Sequence, residues 1–249
     1  KEANVLKNIG EILRENQNTI NNYKQEVEEY EEYVEAWAHE IKTPLGLMTF
    51  VLDNRKDEIS EIVYKRLQYV RTKMQEDIER MLYYARLKST CNDYFFKELP
   101  LKESCAEVIE EYKVILQEKG IAVILDVGEC KVVSDKRGMQ FIIRQIISNA
   151  VKYKNMEVSH PQIVITSDEN EQNVRLNIRD NGIGVKAYDL PFIFEKGFTG
   201  EVGEQRKNST GMGLYLAKQI SERLEINLEV NSKCEDGFGV TLIFPKVVV

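Results

Sequence analysis

The sequence is poor in the residues that build stapled or metal-bound folds. Cys91, Cys105, Cys130 and Cys234 are scattered over 249 residues with no CxxC pair. That excludes a disulfide framework and the usual thiolate metal sites, and it fits a reducing compartment. Only two histidines occur, His39 and His160, too few for most imidazole-based metal centres. No run of about 20 apolar residues exists, so no helix here is expected to span a membrane. Basic excess is also missing. Lys and Arg number 34 against 41 Asp and Glu, for a formal net charge of -7, and no basic footprint for nucleic acid is present. Internal repeats of long period and low-complexity tracts are absent as well.

What is present is enough apolar material for a core. Hydrophobic residues make up 43% of the chain, and the length allows two domains. The acidity is concentrated at the start, where ten glutamates face four Lys or Arg within the first forty residues. Through that stretch runs a seam of Ile9, Leu13, Asn16, Ile20, Tyr23, Val27, Tyr30, Val34, Trp37 and Ile41, with steps alternating between four and three. The opposite face, from Glu26 to Glu35, is acidic and must be solvated. A narrow seam with a charged back predicts a dimeric coiled coil, with Asn16 helping to fix its register. A second stripe runs from Ile59 through Ile62, Val63, Leu67, Val70, Met74, Ile78, Met81 and Leu82 to Ala85. The polar residues 53–58 connect the two, which predicts an αα-hairpin and, in a dimer, a four-helix bundle. The chain opens on Lys1 rather than Met, so a longer parent protein is expected.

Beyond about Ala85 the texture changes to alternating strands and helices. Strand-like runs lie at 94–96, 121–127, 163–166, 174–178, 226–230 and 240–244, and helical patterns lie near 101–118, 137–153 and 212–224. The runs at 163–166 and 174–178 flank a short polar link and read as an antiparallel hairpin, so the sheet is mixed. The fold class is therefore α plus α/β, with a helical hairpin followed by an α/β sandwich. The expected divisions are 1–29, a coiled-coil signalling helix; 30–90, a dimerisation unit; and 91–249, the α/β domain.

Two loops of that domain are built to approach an anion. RDNGIGV (179–185) follows a strand, and STGMGLYLAK (209–218) opens a helix. Gly182, Gly184, Gly211 and Gly213 permit positive φ and close backbone contact, and the free N-H groups of a helix N-terminus attract negative charge. Neither loop is a Walker A or a Rossmann glycine motif. Upstream, in QFIIRQIISNAVKY (140–153), the residues Gln145, Asn149, Lys152 and Tyr153 fall close together at i, i+4, i+7 and i+8. An amide for Mg²⁺, an ammonium for phosphate and an aromatic ring beside two glycine loops describe a nucleotide pocket.

NAVKY (149–153), DNGIG (180–184), FIFEKGF (192–198) and STGMGL (209–214) resemble, in order and spacing, the N, G1, F and G2 boxes of the sensor histidine kinases. HEIKTPL (39–45) resembles their phosphoacceptor box. FEKGFTG followed by STGMGLYLAK looks more narrowly like the bacitracin-resistance type, kinases with short membrane segments that work beside an ABC transporter. One departure is Gln145, where the family usually has Asn.

The resemblance implies ATP and Mg²⁺ as cofactors and a homodimer that phosphorylates itself on His39. Phosphate would pass to an aspartate of a cognate response regulator, and apolar membrane helices would precede Lys1, leaving this portion in the cytoplasm. Asp180 would accept a hydrogen bond from the adenine amino group. Asn149, with Gln145, would serve the metal, Lys152 a phosphate and Tyr153 the base. Gly182, Ile183, Gly184, Gly211, Met212, Gly213 and Leu214 would line the nucleotide, with Phe198 to Thr210 as a lid. Lys196 and Arg206 are candidate phosphate contacts. His39, about 200° from Trp37 around the helix, would project outward, with Glu40 orienting the imidazole or taking its proton. Thr43, one turn on, would help hydrolyse the regulator's phosphoaspartate, and Pro44 would permit a bend. Two other readings share parts of this pattern. A nucleotide-driven clamp ATPase would have the pocket without a use for HEIKTPL, and an inactive dimeric scaffold would not need Asn149, Asp180, Gly211 and Gly213.

Overall fold

A computed structural model describes residues 2–88, 94–200, 210–232 and 236–246. Helix α1 (Glu2–Asn54) and helix α2 (Glu61–Lys88), joined through a short 3₁₀ turn at Lys56–Glu58, form the expected αα-hairpin. The α/β domain follows with β1 (Phe96–Pro100), α3 (Leu101–Lys119), β2 (Ala122–Asp126), β3 (Lys131–Asp135), α4 (Lys136–Lys152), β4 (Gln162–Glu169), β5 (Asn173–Asp180), a 3₁₀ turn at Leu190–Phe192, α5 (Gly213–Arg223), β6 (Asn227–Ser232) and β7 (Phe238–Pro245).

The hairpin packs along Val34, Ala38, Leu45 and Leu52, all buried, with Ile41 and Met48 half-buried between them. The spacing still alternates between four and three, but the seam passes through Ala38, whereas the sequence pattern placed it at Trp37. Trp37 remains 37% exposed. A methyl side chain lets two helix backbones approach where an indole cannot. The second stripe is corrected more heavily. Ile78 and Ala85 are buried, whereas Ile62, Val63, Val70 and Met74 are exposed, and Ile59 precedes α2 in an extended conformation. Helix α1 runs through Pro44 and past residue 30 without interruption. The expected boundary near residue 90 lies outside the described residues.

In the α/β domain a five-stranded sheet has the order β2-β4-β5-β7-β6, with β2 and β4 parallel and the other pairs antiparallel. The sheet is therefore mixed, as the polar link between β4 and β5 predicted. Strands β1 and β3 make a separate antiparallel pair. Alternation decides the layers. Ile163, Ile165, Leu176, Ile178, Val240 and Leu242 are buried on one face, whereas Val164, Thr166, Arg175, Asn177 and Thr241 are half-exposed on the other. Helix α4 lies in the buried layer against α3 and α5, burying Phe141, Ile142, Ile143, Ile146, Ile147 and Ala150. Asp135 starts it, its Oδ1 accepting the N-H of Gly138 at 2.7 Å. Truncating the fully buried Phe141 to alanine would cost about 3 to 5 kcal/mol. Cys105 is packed in the same core, and burial pushes its thiol up to about 12. Cys91 and Cys234 lie outside the described residues.

The two regions touch along the C-terminal half of α2. Tyr83 stacks at a tilt on Phe141 with ring centroids 4.2 Å apart. The Tyr112 hydroxyl donates to Glu76, a buried carboxylate that also meets Lys73 Nζ at 2.6 Å. Arg144 lies between Glu79 and Glu111, its Nε 3.0 Å from Glu79 in an ion pair that lacks the alignment of a hydrogen bond. Arg223 donates to the carbonyls of Arg86 and Leu87 at 3.3 and 2.6 Å, satisfying orphan groups near the end of α2.

Candidate functional site

The cleft forms where the last turns of α4 meet the loop after β5. The N-H of Ile183 donates to the Tyr153 carbonyl at 3.1 Å, so the DNGIG loop is pinned to the end of α4. Gly182 fits against that same carbonyl, where a Cβ would come within 2.6 Å. On its far side the loop is held by Asn181, which accepts the N-H of Gln162 and donates to the His160 carbonyl, both at 2.8 Å. His160 thus contributes its carbonyl to the loop and is itself exposed.

Asp180 ends β5 inside this clamp. Its Oδ1 accepts the N-H of Gly182 at 2.8 Å and of Phe238 at 3.3 Å. Burial raises its carboxyl pKa, partly opposed by these two hydrogen bonds and by the nearby Arg179 charge. It lines a small cavity together with Ile121, Ala150, Ile163, Asn181 and Gly182. Lys154, Pro161 and Gln162 complete the lining, and within it Asp180 is the one carboxylate able to accept from a hydrogen-bond donor.

The second glycine loop closes the other end. Gly211 has φ of +62°, and a Cβ there would lie 2.3 Å from the carbonyl carbon of Gly197. The N-H of Gly197 donates to the Gly211 carbonyl at 3.2 Å. The FIFEKGF and STGMGL segments are therefore in direct contact. Helix α5 then begins at Gly213 with no side-chain cap, so its first N-H groups are available to an anion. Gly213 sits over Gln145, whose Oε1 would be 2.8 Å from an added Cβ.

The structure brings together most of the residues singled out from the sequence. Asn149, Lys152 and Tyr153 are half-buried at the end of α4, with Lys152 Nζ 5.3 Å from the Tyr153 ring centroid. Ile183, Gly184, Met212 and Leu214 are half-buried, and Phe198 stands near Phe192 with centroids 6.0 Å apart. Thr210 is exposed, and Arg206 with most of the expected lid lies outside the described residues. Gln145 lies deeper than its neighbours on the sequence pattern. It is buried, and its Nε2 has no hydrogen-bond partner. Among the described residues no cluster of three His, Cys, Asp or Glu could hold a metal. Asn149, half-buried at the mouth of the cleft, can offer its amide oxygen to Mg²⁺, which usually takes one or two protein oxygens and completes its shell from phosphates and water, whereas the orphaned atom of Gln145 is an N-H donor and does not itself ligate a cation.

Lys196 departs from expectation. Its ammonium reaches away to α2, donating to the Tyr84 hydroxyl at 2.7 Å and lying 4.9 Å from that ring's centroid. His39, Glu40 and Thr43 are on α1, exposed and outside the cleft. Their level on the hairpin is set by neighbours. Glu35 pairs with Arg86 at 2.6 Å, and Ala38 packs with Ile78 and Leu82. The same stretch of α2 carries the contacts to the α/β domain through Tyr83, Tyr84 and Arg86. Thr43 Oγ1 donates to the His39 carbonyl at 3.2 Å. The interface residues Glu76, Tyr112 and Arg144 gave no signal in the sequence, because a buried carboxylate and an exposed one look alike until their partners are known.

Comparison with known proteins agrees with this geometry. Residues 134–248 match the family of histidine kinase-, DNA gyrase B- and HSP90-like ATPases. The sensor protein BceS of Halalkalibacterium halodurans is 33% identical over 98% of this chain and 70% of its own length. GraS, a sensor histidine kinase of Staphylococcus haemolyticus, is 34% identical over 88% of this chain and 62% of its own length. Among solved structures, full-length ShkA in complex with AMPPNP superposes with a TM-score of 0.61 at 18% identity, covering 88% of this chain and 47% of ShkA. AdeS of Acinetobacter baumannii superposes with a TM-score of 0.56 at 20% identity, covering 83% of this chain and 97% of AdeS. These two likenesses concern the fold. From the cleft and the near-complete match to BceS together, the chain belongs to the sensor histidine kinases, as a protein histidine kinase of the bacitracin-resistance type.

Proposed function

We propose that the chain uses ATP to phosphorylate itself on His39 and passes the phosphoryl group to an aspartate of a response regulator. The observation that carries this reading is the level of His39. It sits on α1 opposite the segment of α2 to which the nucleotide-binding domain is already docked. Base recognition falls to Asp180, with Tyr153 against the ring. Lys152 and the N-terminus of α5 take phosphate charge, and Ile183, Met212 and Leu214 keep water from the ring. Asn149, supported by Gln145, would hold Mg²⁺, which when bound neutralises charge on the phosphates. The neutral imidazole of His39 attacks the γ-phosphorus as the bond to the bridging oxygen breaks, and its other nitrogen loses a proton that Glu40 is placed to receive.

Thr43 has a separate task. Its hydroxyl is one turn from the imidazole and, while donating to the His39 carbonyl, still has lone pairs that can orient a water. That water would hydrolyse the phosphoaspartate of the regulator, making the protein a phosphatase as well as a kinase. The working unit is a homodimer, anchored to the bacterial membrane and, by analogy with its type, working beside an ABC transporter.

The test is incubation with γ-labelled ATP. Acid-labile label on the wild type and none on His39→Gln, with ATP affinity changed less than about twofold, is the expected result, because acceptor and cleft lie on separate regions. Persistent acid-labile label on the variant sinks the assignment of His39. Steady phosphate release without label would favour a clamp ATPase instead.

A further inference from the structure

The carboxylate of Asp180 is held in place by a hairpin that lies outside all four nucleotide-binding motifs. Of the two N-H groups on its Oδ1, one comes from Gly182 in its own loop and the other from Phe238, the first residue of β7. The turn into β7 reaches that position by backbone contact. Gly237 has φ of +91°, and a Cβ there would lie 1.9 Å from the Asp180 carbonyl oxygen and 2.9 Å from Asn181 Cα. No L side chain fits. Ser232, the last residue of β6 and the cross-strand partner of Phe238, ties the two segments together. Its hydroxyl accepts the N-H of Val185 at 2.8 Å and donates to the Gly237 carbonyl at 2.9 Å. A single hydroxyl thus bridges the far end of the glycine loop and the turn that supplies the second N-H to Asp180.

We infer that Ser232 and Gly237 are positioning residues for base selection, fixing the Asp180 carboxylate so that a purine 6-amino group, and not a 6-keto or unsubstituted ring, is recognised. The inference rests on the proposed role of Asp180. A carboxylate free to rotate offers two equivalent oxygens and adapts to water. With Oδ1 occupied by two backbone donors, only Oδ2 is left to a ligand, and among the described residues it has no hydrogen-bond donor. A fixed acceptor rewards a donor and leaves an analogue without one unpaired. Ser232 touches neither base nor phosphate in this scheme and acts through the loop alone.

The experiment compares dissociation constants of ATP and of purine riboside triphosphate, which lacks the 6-amino group, on the full 249-residue chain. The ratio of the two constants does not depend on the fraction of protein that is folded, so a general loss of stability leaves it unmoved. For the wild type a preference for ATP of about tenfold or more is expected, the worth of one hydrogen bond to a charged group. Ser232→Ala should cut that preference to roughly threefold or less, whereas Ser232→Thr, which keeps the hydroxyl, should retain it. Gly237→Ala should abolish the preference, since its methyl group cannot coexist with the Asp180 carbonyl. A wild-type preference that persists in Ser232→Ala overturns the positioning role alone. No preference in the wild type overturns the reading of Asp180, and the inference with it.

Discussion

The α/β domain and the helical hairpin handle their apolar residues in opposite ways. In the first, one continuous cluster reaches from Leu99 to Phe244, takes in both sheet and helices, and is joined from α2 by Tyr83 alone among the buried residues. In the second, apolar burial among the described residues is a thin line through Val34, Ala38, Leu45, Leu52, Ile78 and Ala85, while Leu47, Phe50 and Ile62 are each more than 60% exposed. The α/β domain has finished folding within one chain. The hairpin keeps large apolar residues exposed on both helices, and a second copy packed as a four-helix bundle is expected to cover them. Signalling function fits that difference, since an interface between helices can shift where a closed core cannot.

Placing a charge on the exposed face is the strongest way to break the contrast. Phe50→Glu combined with Ile62→Glu should raise the dimer dissociation constant by about 100-fold or more, because each carboxylate would be buried unpaired. Sedimentation velocity reads the mass, and ATP titration should change less than about twofold. Retention of the dimer would place the subunit contact elsewhere on the chain.

Asp180→Asn probes the finished region. The Asn Oδ1 can still accept from Gly182 and Phe238, but the other arm becomes a donor facing the base amino group. ATP affinity should fall by roughly 10- to 100-fold, while thermal stability at neutral pH should be kept or slightly raised. The sign follows from burial. The folded-state pKa of this carboxyl lies above its ordinary value, so ionisation disfavours the fold as pH rises through the raised pKa, and Asn escapes that cost. For the same reason wild-type ATP affinity should weaken as pH falls through the raised pKa, and the decline should be absent in Asp180→Asn. Calorimetric titration over a pH series checks both, and parallel profiles would remove Asp180 from base recognition.

Thr43→Ala should have the smallest effect on the kinase, with autophosphorylation within about twofold of wild type, since the hydroxyl binds only a backbone carbonyl on an exposed helix face. Its consequence should appear in the decay of purified phosphorylated regulator in the presence of ADP, slowed several-fold. Equal decay rates for wild type and Thr43→Ala would remove the phosphatase role.

Much of the α/β domain was legible because its signals are local. Helices α3, α4 and α5 begin and end within a few residues of their sequence patterns, since an apolar face repeating every three or four residues needs no knowledge of its partner. Strand β3 escaped notice because Val132 and Val133 are its only large apolar residues, and its partner β1 begins 35 residues upstream, in a ladder joining Lys131 to Pro100 at one end and Asp135 to Phe96 at the other. The glycine loops were readable as places of close backbone approach, which Gly182 and Gly211 show, yet the turn at Gly237 was not. Its positive φ is visible only once β5 and β7 are paired and the turn comes against Asp180.

By itself the sequence determined the helical hairpin ahead of an α/β domain, the place of each long helix, the mixed character of the sheet and the exposure of His39. Each depends on periodicity or on the chemistry of a short contiguous segment. Tertiary structure decided which of the hairpin's apolar positions face inward, as with Ala38 in place of Trp37, and where Lys196 goes. It also decided which carboxylates are buried, as with Glu76 under Tyr112, and which backbone groups aim Asp180. Those outcomes depend on distances between segments far apart in the chain, and a side chain's charge, pairing and reach acquire their energetic meaning only when the partner that folding brings to it is in place.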